Sequence, residues 1–197
     1  MLEWRLWGIR CRVSLLFPAL VTALLLWNPD GLAISCLLAS LIHEGGHLAA
    51  MLMLGVPPQD CVVGAFGVRM ELRRSLVGYG RNLLIALAGP LANGLAAVSL
   101  FIIRSPVAAT VHLVLAGLNL LPAGALDGGE ILKCGLCLLG LEEWSDSILR
   151  FVSAMVLLPL ATSGIWMFLR VRNPTLIIVS CYLAALVFFS DKCEKTS

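Results

Sequence analysis

Residues 32–54 read LAISCLLASLIHEGGHLAAMLML, an apolar run broken near its middle by Ile42-His43-Glu44-Gly45-Gly46-His47. A run of this length crosses the hydrocarbon of a bilayer, about 30 Å thick, as a single helix. On such a helix positions i and i+4 share a face, so the imidazoles of His43 and His47 can reach one metal ion. Glu44 projects near the same place, where a carboxylate can take a proton from metal-activated water. Ionisable side chains deep in a membrane helix are costly and persist there for function. The bland alternatives are a helix–helix contact glued by histidine, and a metal held without hydrolysis.

Composition places the rest of the chain in the same solvent. Of 197 residues, 59% are hydrophobic and only 13% charged, with a mean hydropathy of +0.95. So few charges cannot cover the surface of a water-soluble domain. The net charge of +2 is locally arranged. Arg5, Arg10 and Arg12 precede the first apolar run, whereas Arg69, Arg73, Arg74 and Arg81 follow the second. That pattern speaks of membrane orientation and excludes a nucleic-acid partner. No small-residue cleavage site follows the first run, so it reads as an uncleaved helix. The seven cysteines are scattered and several lie in apolar segments, where cysteine behaves as a small hydrophobe. Cys134-x-x-Cys137 has a redox or metal spacing, but stands in a predicted helix without a second pair.

Outward from the central run, apolar segments fall at about 13–27, 32–54, 83–103, 106–121, 148–169 and 174–190. The expected fold is an all-α polytopic membrane protein of about six transmembrane helices in one domain, 1–197. Its core spans about 13–140, followed by C-terminal helices over about 148–190. Asn28-Pro29-Asp30-Gly31 forms a turn between the first two segments. The stretch Cys61–Leu72 is β-prone, punctuated by glycine and too short to span, so a short hairpin or re-entrant strand is expected after the second helix. Arginine placement puts the N-terminus, the 55–80 loop, Lys192 and Lys195 in the cytosol. Arg170 and Arg172 run against that assignment.

A catalytic zinc needs a third protein ligand and an open position for water. His112 stands alone on an apolar helix and reads as a packed or hydrogen-bonding residue. The better candidate is Asp127, in Asn119-Leu120-Leu121-Pro122-Ala123-Gly124-Ala125-Leu126-Asp127-Gly128-Gly129. Proline and glycines break the helix there, and irregular backbone at membrane depth is tolerated only inside protein or beside a wet cavity. Metal coordination satisfies an aspartate that would otherwise be costly; the alternative is an ordinary surface turn. Asn119 can hold a substrate carbonyl or oxyanion, or cap freed backbone groups. Ala88-Gly89-Pro90-Leu91-Ala92-Asn93-Gly94 places small residues in the third segment and reads as packing against the histidine helix.

These motifs, in this order, resemble the site-2 protease family of intramembrane metalloproteases. The resemblance rests on His43–His47, on Gly89-Pro90 with Asn93, and on Asn119-x-x-Pro122 with Asp127-Gly128, and covers roughly 13–140. It implies one Zn2+ held by His43, His47 and Asp127, with Glu44 as general base and acid. It also implies cleavage of a membrane-embedded or membrane-associated protein substrate, with the site opening to the cytosol of a bacterial cell membrane. A helix before the histidine helix and no inserted PDZ-like domain resemble the stage IV sporulation protein FB type, which processes a sigma-factor precursor during spore formation. The chain departs from that type in ending at Ser197 without a nucleotide-sensing CBS domain, so ATP regulation is not expected. Ala123-Gly124 also stands where relatives carry further prolines. The competing reading is a non-catalytic membrane adaptor whose zinc is structural. That would need a fourth protein ligand from His112 or Cys36, neither suitably spaced. A zinc transporter is weaker still, because no acidic pathway leads to the cluster.

Overall fold

A computed structural model describes residues 2–6, 9–14, 16–27, 31–64, 67–71, 77–124 and 126–172, with 177, 178, 180, 181 and 184. The order is β1 (Leu2–Leu6), β2 (Ile9–Val13), α1 (Leu16–Trp27), α2 (Leu32–Met53), β3 (Asp60–Gly64), β4 (Gly67–Glu71), α3 (Tyr79–Ile102), α4 (Pro106–Asn119), α5 (Asp127–Leu138) and α6 (Glu142–Val171). The chain divides into two units, 1–117 and 118–197.

In the first unit α2 and α3 pack along each other, and small residues set how closely. A β-carbon on Gly46 would lie 2.6 Å from the Ala88 carbonyl oxygen and 2.8 Å from Ala92 Cβ. Only glycine allows that approach. α2 ends where Gly55 turns left-handed (φ 70°). The Val56 amide then donates to the Met51 carbonyl and the Gly55 amide to that of Leu52, while Val56 packs against the cluster of Met51, Val77 and Ile85. This is the Schellman ending, with its accompanying apolar contact. The hairpin expected over 61–72 is present as β3–β4, although Ala65, Phe66 and Leu72 lie outside the described residues.

The all-α expectation needs correction at the N-terminus. Residues 2–13 form a second hairpin, and β2 pairs in parallel with β3, giving one four-stranded sheet in the order β1-β2-β3-β4. Leu2-Glu3-Trp4-Arg5-Leu6 and Ile9-Arg10-Cys11-Arg12-Val13 alternate apolar and polar residues, the period of a half-buried strand. The arginines interleaved in this alternation give the segment the composition of a basic flank. Arg10 and Asp60 sit opposite each other in the β2–β3 register. Their side chains form a two-pronged ion pair, Nε to Oδ1 at 2.8 Å and Nη2 to Oδ2 at 3.1 Å.

In the second unit the chain leaves α4, is non-helical at 120–124 and 126, and re-enters a helix at Asp127. Glycine is required where this break closes. A β-carbon on Gly128 would strike the carbonyl oxygens of Leu120 and Leu121, and one on Gly129 that of Ala123. The Gly124 amide donates to the buried Ser153 hydroxyl of α6 at 3.1 Å. An ion pair from Lys133 to Asp146 at 2.9 Å ties α5 to α6. The helix α5 does not stand out as an apolar segment because its first turn carries Asp127 and Glu130.

Among the described residues, three helices are long and apolar enough to cross a membrane: α2, α3 and α6, of 22, 24 and 30 residues. The expected first and fourth spans appear as α1 and α4, with 12 and 14 residues. The expected Asn28–Gly31 turn and sixth segment lie wholly or largely outside the described residues. Large apolar side chains line the outer surface; on α3, Leu91, Leu95, Val98 and Ile102 are between 59% and 76% exposed. Such a stripe is an aggregation liability in water and an ordinary surface in lipid.

Candidate metal centre

His43 and His47 lie one turn apart on the buried face of α2, toward α3, with 5% and 8% of their surfaces exposed. Their rings meet edge to face, with centroids 4.8 Å apart and planes at 87°. The two Nε2 atoms are 3.3 Å apart. Two nitrogens about 2.0–2.1 Å from a tetrahedral zinc are separated by about 3.3 Å, so the spacing fits that ion. His47 Nδ1 lies 2.7 Å from the Ile85 carbonyl oxygen. A carbonyl only accepts, so Nδ1 carries the proton of this hydrogen bond and Nε2 is the ring nitrogen turned toward His43. α3 makes room for both rings at Gly89. A β-carbon there would strike His47 Nε2 and lie 2.6 Å from His47 Cε1 and 2.9 Å from His43 Cε1.

Behind this pair stands a polar chain through Asn93, in the stretch expected only to pack, to His112. Asn93, fully buried on α3, places Nδ2 3.4 Å from His43 Nδ1. Its Oδ1 lies 3.0 Å from Nδ1 of His112, which is also buried, on α4. Of the two expectations for His112, packed or hydrogen-bonding, it meets both. Asn93 is the residue that was missed. A polar side chain one turn after Gly89-Pro90, in an apolar helix, is the available signal. Its partner depends on how α2 and α3 are registered, which spacing alone does not give. Glu44 follows His43 on α2 and is half-buried.

In the second unit, Asn119 is the last residue of α4 and Asp127 the first of α5; both are half-buried. Cys134 and Cys137 are buried free thiols on α5. Cys134 Sγ lies 3.7 Å from Glu130 Oε1. Burial, reinforced by the Glu130 charge, pushes this thiol up to about 12. A group held so firmly as a neutral thiol is a poor metal ligand or redox nucleophile.

No family model matches this chain, and no curated protein does. Its architecture has a solved counterpart, the site-2 protease from Methanocaldococcus jannaschii. The two are 22% identical and superpose with a TM-score of 0.67 over 92% of this chain and 91% of the other. The likeness is one of fold.

Proposed function

We propose that this protein is an intramembrane zinc metalloprotease. The observation that carries the reading is the His43–His47 pair, with Nε2 atoms at a zinc-ligand spacing inside an apolar helix of membrane-crossing length. Asp127 would complete the site: two imidazoles and a carboxylate are a donor set that could hold a metal ion and leave a water position open. The fold shared with a site-2 protease is consistent with this chemistry.

When bound, zinc supplies a Lewis acid that acidifies water and polarises the scissile carbonyl. Glu44 takes the proton of the attacking water and later delivers one to the leaving amine, the two halves of a general acid–base role. His47 is held in register by its bond to the Ile85 carbonyl. Asn119 donates from its amide to the carbonyl oxygen as negative charge develops there. A helical substrate hides its carbonyls, so the scissile segment must arrive extended. β4, at the edge of the four-stranded sheet, offers it backbone groups to pair with.

The reading extends to substrate and setting: a membrane-associated precursor such as a sporulation sigma factor, cut from the cytosolic side of a bacterial cell membrane. Among the described residues, the short α2–α3 connection carries the β3–β4 hairpin alone, which supports the stage IV sporulation protein FB type. Purified protein should contain one zinc per chain, and Glu44→Gln should keep that zinc while losing cleavage of a co-expressed precursor. Full activity in Glu44→Gln would sink the protease mechanism. Zinc with no cleavage of any membrane precursor by the wild type would favour a structural metal in an adaptor.

A further inference from the structure

The break between α4 and α5 closes through short-range backbone bonds. The Leu121 amide donates to the Leu118 carbonyl at 3.2 Å, that of Ala123 to Leu121 at 2.7 Å, and that of Leu126 to Ala123 at 2.9 Å. Pro122 has no amide to offer. The Gly124 amide instead reaches another helix, donating to Ser153 Oγ of α6 at 3.1 Å. An N–H only donates, so the hydroxyl oxygen is the acceptor wherever its own proton points. Ser153 is 1% exposed and lies about 16 Å along α6 from Glu142. It is the polar side chain in an otherwise apolar stretch, residues 151–158, FVSAMVLL. α6 is long and apolar enough to cross a membrane. At such depth, backbone groups freed by proline and glycine need partners, and a hydroxyl from a neighbouring helix supplies one.

What this bond holds lies directly against the start of α5. A β-carbon on Gly129 would sit 2.7 Å from the Ala123 carbonyl carbon and 2.9 Å from Gly124 Cα. The backbone at 123 and 124 therefore rests on the first turn of α5, and the Gly129 amide closes that turn onto the Leu126 carbonyl at 3.0 Å. Asp127 is the first residue of the turn. We infer that Ser153 is a positioning residue for Asp127. Its hydroxyl holds Gly124, Gly124 holds the first turn of α5, and that turn sets where the carboxylate is presented. Ser153 acts through backbone and supplies no ligand of its own. The inference rests on the metal reading of His43, His47 and Asp127. Within that reading it makes α6 part of the support of the metal site.

Zinc affinity and fold can be read separately on the purified full chain. Ser153→Ala should weaken zinc, in chelator competition, on the order of 10-fold, the lower end for residues that orient a metal ligand. Hydrogen exchange of the amide at position 124 should become faster in the same variant. Ser153→Cys fills similar space with a sulfur that accepts only weakly, so it should behave like Ser153→Ala. Gly124→Ala is the control. It keeps the amide, and its β-carbon would meet Leu149 Cδ2 at 3.7 Å, an ordinary contact, so zinc affinity should match wild type. Unchanged zinc affinity in Ser153→Ala would overturn the inference and leave the metal reading intact, above all if the metal-free unfolding midpoint fell, as a merely structural bond would cause. Wild-type affinity in Ser153→Cys, or equal zinc loss in Gly124→Ala, would assign the effect to packing and overturn the inference as well. No zinc in wild type, or zinc retained after both His43 and His47 are replaced by alanine, would overturn the metal reading itself.

Discussion

A β-carbon at position 89 would overlap two imidazole rings, so the smallest substitution there addresses the proposed metal site directly. Gly89→Ala should lower zinc affinity and cost about 1–3 kcal/mol of stability, the range for overpacking a close-fitted position. Chelator competition and thermal unfolding in detergent measure the two effects. Asp127 and His112 supply the matching contrast. Asp127→Ala should lose both zinc and cleavage, whereas His112→Ala should still reach one zinc per chain at saturating metal. Zinc lost only in His112→Ala would reverse the ligand assignment. At this scale His43, Glu44 and His47 were legible because one helical turn contains them, and the turn geometry alone brings the histidines together. Asn93 was read only as part of a packing stretch, because its contact with His43 arises between helices and depends on glycines whose purpose appears only once α2 and α3 are packed.

The elements themselves were legible where hydropathy runs long. α2, α3 and α6 follow from their apolar runs, although α6 begins at Glu142, ahead of the first residue of the predicted segment. Local structure with mixed composition was harder to read: the β1–β2 hairpin, whose alternation is interleaved with arginine, and the start of α5, whose first turn carries Asp127 and Glu130 ahead of the helical stretch around Cys134 and Cys137. The α2–α3 interface yields a test at this scale. Gly46→Val should force the Ala88 carbonyl and Ala92 away from α2, lowering the unfolding midpoint by an amount equivalent to about 1–3 kcal/mol. Gly45→Ala, one residue away where a β-carbon meets nothing within 4 Å, should leave the midpoint unmoved. Equal behaviour of the two variants would show that close helix approach is not what Gly46 provides.

For the molecule as a whole, cysteines report on placement. Cys134 should resist alkylation at pH 9 in the folded protein and react after denaturation. Burial and the Glu130 charge both raise its titration, to about 12, so the neutral thiol persists as pH climbs through the usual cysteine range. Cys36 and Cys181, both exposed, should take up a lipid-soluble maleimide under the same conditions. Alkylation of folded Cys134 at a comparable rate would contradict its buried environment. Orientation was read from arginine positions alone, and the sheet now constrains it by an independent route. Open sheet edges are not found in hydrocarbon, and β2 and β3 are bonded neighbours. Residues 9–13 and 60–64 therefore share one side of the bilayer, and the chain between them must cross an even number of times. If α2 crosses once, the segment containing α1 crosses as well, however short its helix. The constraint is one of parity: any rearrangement that inverts one of these two segments must invert the other or tear the sheet apart.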